Sequence, residues 1–227
     1  MDLQVLTWNV FHGRAVPGAG RDLFAEFAAA LDGWEWDVAL LQEVPPWWLE
    51  RLVRTLGGEG RGALTSRRAL LPVHRALAGR APDLLGAAGA AANVILARSD
   101  RIIADGSTPL GRRPERRRVH GVALAVGVWV SNVQVSAHPS AAEADLRRAA
   151  EVTREWAQAR RLGLILGGEI RLSDAAASGA CGLQAAASAG AAHVLCGEGA
   201  TARPGTAARL EHGALSAHDP LAVTLAI

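Results

Sequence analysis

Apolar and polar positions fall into short runs that predict strands separated by amphipathic helices. Residues 3–10 (LQVLTWNV) are almost unbroken apolar sequence closing on Asn9, the pattern of a buried strand. Residues 37–43 (DVALLQE) repeat it and close on Gln42 and Glu43. Between them, residues 22–31 carry Leu23, Phe24, Phe27 and Leu31 at helical spacing. Pro45 and Pro46 start a short helix bearing Trp47, Trp48, Leu49 and Leu52. Residues 92–98, 118–126 and 129–136 read as strands, with Gly127 supplying a tight hairpin between the last two. Residues 141–159 form a long amphipathic helix. Residues 162–166 form a strand running into Gly167 and Gly168, and residues 192–196 and 221–227 are late strands. The Ala-, Gly- and Ser-rich stretch 175–192 reads as a pared-down loop. Hairpins mixed with strand–helix units predict an α+β fold of two stacked sheets flanked by helices, in one domain over residues 1–227.

Composition adds bounds rather than a function. At 227 residues and 50% hydrophobic, the chain can build a large core and is not disordered. The net charge is only +2, and every basic residue is Arg. Met1 and Asp2 lead straight into the first strand, and no apolar run reaches membrane-spanning length, so no membrane partner is expected. Two cysteines, Cys181 and Cys196, make neither a disulfide framework nor a metal cluster; reduced thiols in a cytoplasmic protein are the expectation.

Strands that end on an amide and a carboxylate bring those groups to one sheet edge, a setting suited to a divalent metal and a phosphate. The blocks TWN (7–9), LQE (41–43), GG-x-x-x-L (167–172) and S-x-HDPL (216–221) occur in an order that resembles the endonuclease/exonuclease/phosphatase superfamily of metal-dependent phosphoester hydrolases. The resemblance spans nearly the whole chain and implies a four-layer α/β/β/α sandwich. It implies Mg or Mn as cofactor, Asn9 as support for metal and phosphate, Glu43 as the metal-ligating carboxylate, and His218 as general base or transition-state contact.

Other positions depart from the family pattern. Gln134 stands where a phosphate-contacting His is usual, and an amide cannot carry the imidazolium charge. Glu169 stands for an Asp, one methylene or about 1.5 Å longer, where about 1 Å of misplacement costs a hundredfold in rate. Arg171 stands for an Asn and brings a fixed cation to the metal position; one unit pair at about 4 Å is worth about 4 kcal/mol, and a divalent ion doubles the opposition. Ala192 and Ala217 replace the two Asp residues that orient the catalytic His. Asp219 follows His218 directly and, on strand alternation, faces the other way. His138, four residues after Gln134, reads as a loop histidine.

Four departures at one site predict a protein that binds an anionic ligand or a protein partner in the old cleft, with phosphohydrolase activity at or near background and metal binding in doubt even at Glu43. The competing reading is an active Mg- or Mn-dependent phosphodiesterase or phosphatase using Glu43, Glu169 and His218. The run Arg112, Arg113, Arg116, Arg117 and Arg118 reads as a solvated loop before it reads as a nucleic-acid patch. Trp34, Trp36, Trp47 and Trp48 read as core before they read as base-stacking platforms, and Asn93 is placed near the same cleft. Arg171 is expected to pair with Glu43, Glu169 or both.

Overall fold

The computed structural model describes residues 1–65, 90–111 and 117–227. Among these the first sheet contains β1 (Asp2–Asn9), β2 (Val38–Val44), β3 (Glu59–Leu64), β4 (Ala92–Ala97), β11 (Thr201–Ala202), β12 (Ala208–Arg209) and β13 (Leu221–Ala226). Its order is β11-β13-β1-β2-β4-β3, with β12 also paired to β13. The second contains β5 (Ile102–Gly111), β6 (Arg117–Leu124), β7 (Val128–Gln134), β8 (Gly163–Glu169), β9 (Gln184–Ala189) and β10 (Ala192–Cys196), ordered β5-β6-β7-β8-β10-β9. Each sheet is mixed, with one parallel pair at its centre: β1 with β2, and β7 with β8.

Helices α1 (Phe24–Gly33) and α2 (Leu49–Leu56) cover the outer face of the first sheet, where Phe27, Leu31 and Leu52 pack on Trp8, Leu6 and Leu41. Helices α3 (Pro139–Arg160) and α4 (Asp174–Cys181) cover the second through Leu146, Ala150 and Ala177 against Trp129, Val133 and Leu166. Pro139 opens α3 at a position where no backbone N–H is needed, and Ser173 caps α4 by accepting from the Ala176 N–H. Two sheets between two helical layers is the expected sandwich.

The layer between the sheets changes character along its length. Val5, Leu40, Ile95, Val122, Val130 and Ile165 form its apolar base. One inward position nearer the edge, five of these six strands have turned polar, with Thr7, Gln42, Asn93, His120 and Asn132 all buried, and the sixth carries Gly167. Gln42 Nε2 donates to Thr7 Oγ1 (3.1 Å), Leu40 O (2.9 Å) and Asn132 Oδ1 (2.9 Å). Asn132 Nδ2 donates across the sandwich to Leu41 O (2.8 Å) and Val94 O (2.9 Å). This shelf of amides joins the sheets immediately beneath their common edge. Asn93 lies in it, as placed, and donates to Arg118 O.

Several details correct the sequence reading. Residues 175–192 are not a loop: they hold most of α4 and all of β9, because Ala packs into small-residue elements as readily as Gly and Ser open turns. The strands β3 and β5 carry Gly and Pro and gave no strand signal. Trp36 and Trp48 are buried, and Trp34 and Trp47 pack on the same cluster, so none is a free stacking platform. Arg112, Arg113 and Arg116 lie outside the described residues; Arg118 bonds Ser107 Oγ on the neighbouring strand. No described helix is long and apolar enough to cross a membrane.

Gly168 shows how tightly the central strands meet. Its φ is +141°, and a Cβ there would stand 1.8 Å from Val133 O, whereas Gly127 (φ +102°) has open space around it. Gly168→Ala is expected to destabilise by about 3 kcal/mol or more through a clash with fixed backbone, and Gly127→Ala by about 1–2 kcal/mol through backbone strain alone. Urea unfolding of the two variants checks the ordering.

Candidate functional site

The polar edge above the amide shelf gathers Asn9, Glu43, Gln134, Glu169 and Arg171, and each is delivered by a specific local device. Asn9 ends β1 at a tight turn in which Phe11 (φ 51°), His12 (φ 57°) and Gly13 (φ 75°) are all left-handed. The Phe11 N–H donates to Asn9 Oδ1 at 2.8 Å. With its oxygen fixed there, the amide nitrogen is aimed at Glu169 Oε2, 2.5 Å away.

Glu43 reaches the site against strand alternation. Leu41 faces the outer helices, so regular pleating would send Glu43 after it. Instead Glu43 is left-handed (φ 54°) and β2 bulges against β4 between Leu41 and Val44. Val44 then packs outward, and Glu43 turns to meet Gln134 Nε2 (2.6 Å) and His12 Nε2 (3.2 Å).

Glu169 is the centre of the cluster, with its side chain only 2% exposed. Its strand neighbours in register are Gln134 on β7 and Ala192 on β10. Oε1 accepts from Arg171 Nε (2.8 Å) and Nη2 (2.6 Å); Oε2 accepts from Asn9 (2.5 Å) and Gln134 Nε2 (2.8 Å). A carboxylate offers about four lone-pair directions, and all are taken. Burial by itself would raise the Glu169 pKa, but Arg171, His218 and the two amide donors outweigh it and hold the carboxyl below its usual range. The expected pairing of Arg171 is therefore met on Glu169 and not on Glu43. Burial pushes the His12 pKa below its ordinary value, with Glu43 only partly offsetting it.

His218 comes from a folded loop, not from a strand. Ser216 Oγ donates to Asn9 O (2.6 Å), the His218 N–H donates to Ser216 Oγ (3.1 Å), and Trp8 Nε1 donates to His218 O (2.9 Å). The loop is thus stitched to β1, and the imidazole stands edge-on to Phe11. Because β13 begins only at Leu221, the alternation argument applied to Asp219 fails: Ala217, His218 and Asp219 all line one cavity. Asp219 still does not serve His218, since its oxygens are held by Arg209 (3.2 Å) and His212 (3.2 Å). His193 faces the opposite side of β10 and meets Asp174. His138 bonds Ser140 in the exposed turn that opens α3.

The eight positions carrying the resemblance therefore converge. Asn9, Glu43, Gln134, Glu169 and Arg171 interlock, while Asn9, Glu169, Ala192, Ala217 and His218 border an adjoining cavity of about 140 Å³. The residue that sequence reasoning missed is His12; its only signal is its place before Gly13 in the turn after Asn9. As a donor set for a divalent metal the cluster does not fit. Glu169 has no free lone pair, Gln134 Nε2 sits between the two carboxylates, and Arg171 brings a cation. No group of three or more His, Cys, Asp or Glu able to hold a metal occurs among the described residues.

Two outcomes follow. Arg171→Met leaves a buried carboxylate without its charge partner and is expected to destabilise by about 1–3 kcal/mol at pH 7 and by less as pH falls, because without the guanidinium burial pushes the Glu169 pKa up; urea midpoints at pH 7 and pH 5 test this. His120, in the shelf, has its pKa lowered to about 4 by burial, and by Arg118 and Arg61, with Asp105 and the Asn93 backbone opposing. Its folded-state value lies below the unfolded one of 6.5. Its contribution is therefore intact above that pH and is lost as pH falls toward 4, by about 3 kcal/mol. His120→Asn should flatten that limb of the stability–pH curve.

Comparison with solved structures agrees on architecture. The chain is similar over its full length to an endonuclease/exonuclease/phosphatase from Beutenbergia cavernae, covering 72% of that chain with a TM-score of 0.72 at 16% identity. It is similar to a mannosyl-6-phosphatase of Bacteroides thetaiotaomicron (TM-score 0.70, 12% identity, 99% of this chain and 100% of that one). It is also similar to the human Nocturnin catalytic domain with bound sulfate anion (TM-score 0.72, 13% identity, 99% and 94% covered). No protein-family profile and no curated protein matches the chain. Two mixed sheets, their flanking helices and these neighbours together identify the fold of this chain as that of the endonuclease/exonuclease/phosphatase proteins.

Proposed function

We propose that this chain is an endonuclease/exonuclease/phosphatase-fold protein whose metal position has been taken over by its own side chains, and that it acts by binding rather than by phosphoester hydrolysis. Proteins of this fold generally use divalent metals. The observation that carries the proposal is the saturation of Glu169 by Arg171, Asn9 and Gln134. A divalent ion linking two carboxylates supplies both a bridge and positive charge. Here the Gln134 amide donates to Glu43 and Glu169 at once, and Arg171 supplies the charge. Acid–base help is worth about a hundred- to ten-thousandfold, and with Ala at positions 192 and 217 the His218 ring is bonded to no carboxylate among the described residues. We take the partner to be an anionic ligand or a protein, with nucleic acid the weaker candidate. The cytoplasm is the proposed compartment, consistent with free, buried Cys181 and Cys196.

The rival reading, an Mg- or Mn-dependent phosphodiesterase or phosphatase using Glu43, Glu169 and His218, requires Arg171 to leave Glu169. Calorimetric titration with Mg²⁺ and Mn²⁺ and a generic phosphodiester assay separate the two: no binding heat and background turnover are expected. Metal-dependent turnover abolished by Glu43→Ala would establish the rival. Restoration tests the alignment of the site. Gln134→His, Glu169→Asp, Arg171→Asn, Ala192→Asp and Ala217→Asp, combined, should create metal binding; ten times Kd of Mg²⁺ then stabilises by about 1.4 kcal/mol, read as a rise in Tm that the unmodified chain lacks. Single changes should do little, because groups acting as one unit are strongly non-additive.

A further inference from the structure

The cavity beside the carboxylate cluster has a chemistry of its own. Two of its walls are methyl groups, Ala192 on β10 and Ala217 on the loop before β13, at the positions where the family resemblance implies carboxylates. Its inner end is Gln42, only 1% exposed. The orientation of that amide is fixed by its surroundings. Asn132 Nδ2 already faces two carbonyls, so Asn132 Oδ1 is an acceptor; Gln42 Nε2 faces it together with Thr7 Oγ1 and Leu40 O. Gln42 Oε1 is the atom left over, and it accepts no hydrogen bond from the described residues. At the mouth, His218 presents an imidazole whose nitrogens bond no described residue, while its main chain is locked by Ser216 and Trp8.

The electrostatics disfavour an anion inside this cavity, so an anionic partner of the kind proposed above would bind outside it. Glu169 borders the cavity as a carboxylate, and its compensating cation, Arg171, is not among the lining residues. A small cation has no carboxylate lone pair left to receive it, because all four on Glu169 are occupied and Asp219 is held by Arg209 and His212. What remains is a buried acceptor at one end, an imidazole able to donate or accept at the other, and alanine methyls between. A hydroxyl answers the buried acceptor, a second hydroxyl answers either tautomer of the imidazole, and the carbon backbone of the ligand meets the methyls.

We propose that this cavity is a binding site for a small neutral polyol, oriented by a hydroxyl that donates to Gln42 Oε1 and a second hydroxyl on the His218 ring. The cavity of about 140 Å³ accommodates a ligand of roughly four to six carbons. With few heavy atoms and two directed hydrogen bonds, the affinity is on the order of millimolar.

The test uses the unmodified chain with erythritol and ribose as probes, followed by saturation-transfer NMR. Signal from both probes is expected, with at least a several-fold loss in Ala217→Leu, which fills the cavity from the solvent side and leaves Gln42 and His218 in place. Ala191→Leu, at a second lining position, gives the same result if the first variant does not fold. Inorganic phosphate and methylammonium at equal concentration should not displace the probes. Absence of signal at tens of millimolar probe, unchanged signal in a folded filling variant, or displacement by phosphate would each overturn the proposal. No metal is added at any stage, so this result and that of the metal titration fall independently.

Discussion

A carboxylate withdrawn from water is the constraint around which this molecule is arranged. Glu169 cannot sit in the interior as an anion unless donors replace the hydration it loses, and a lone buried charge would cost several kcal/mol. The donors come from three directions: β1 through Asn9, β7 through Gln134, and the residue two places on, Arg171, in a two-pronged approach to one oxygen. Each donor is itself positioned by something else. The Asn9 amide is aimed because the Phe11 N–H holds its oxygen, and Gln134 is shared with Glu43. The two sheets meet at this edge through polar contacts as directed as the apolar packing at their base is diffuse.

The graded interior explains why the site lies where it does. Side chains along the inner face turn from aliphatic to polar within a few residues: Val5, Thr7 and Asn9 on β1, Leu40, Gln42 and Glu43 on β2, Val130, Asn132 and Gln134 on β7, and Ile165, Gly167 and Glu169 on β8. Each step is matched by partners on the opposing sheet. Amides are suited to the middle step because each offers donors and an acceptor without a net charge, so the layer can be closed to water and still satisfy its polar atoms. Among the described residues few fully enclosed side-chain atoms lack a partner, and His120 Nδ1 and Asn93 Oδ1 are those in this layer; Gln42 Oε1 faces the cavity instead.

Much of this was legible in the sequence, and the failures share a cause. Apolar runs ending on Asn9 and on Gln42 and Glu43 announced strands with chemistry at their ends, and the order of blocks announced the sandwich. Gln134 and Glu169 come to one site by the family resemblance, and strand alternation is the weaker guide. It could not foresee that Glu43 leaves the pleat through a left-handed bulge, because no residue preference marks a glutamate for that conformation. It misjudged Asp219 by treating a stitched loop as a strand. Residues 175–192 were misread because alanine carries no periodic contrast, so a helix and a strand made largely of it leave little pattern. His12 was hidden because its partner is set by a turn of three left-handed residues, a feature of backbone conformation rather than of composition.

The stitching of the last loop to the first strand has a temporal consequence. Ser216 and Asn9 are 207 positions apart, and Trp8 and His218 are 210 apart, while β13 lies between β1 and the short strands β11 and β12. On a growing polypeptide, β1 can pair with β2 early, but its other edge stays open until residues 221–226 emerge. The chemistry-bearing edge is thus among the last parts to close. Until then Leu3 and Val5 on that strand remain bare of the β13 residues that cover them. For this chain the hazard of sticking to a neighbour is concentrated in the interval between making its first strand and making its last.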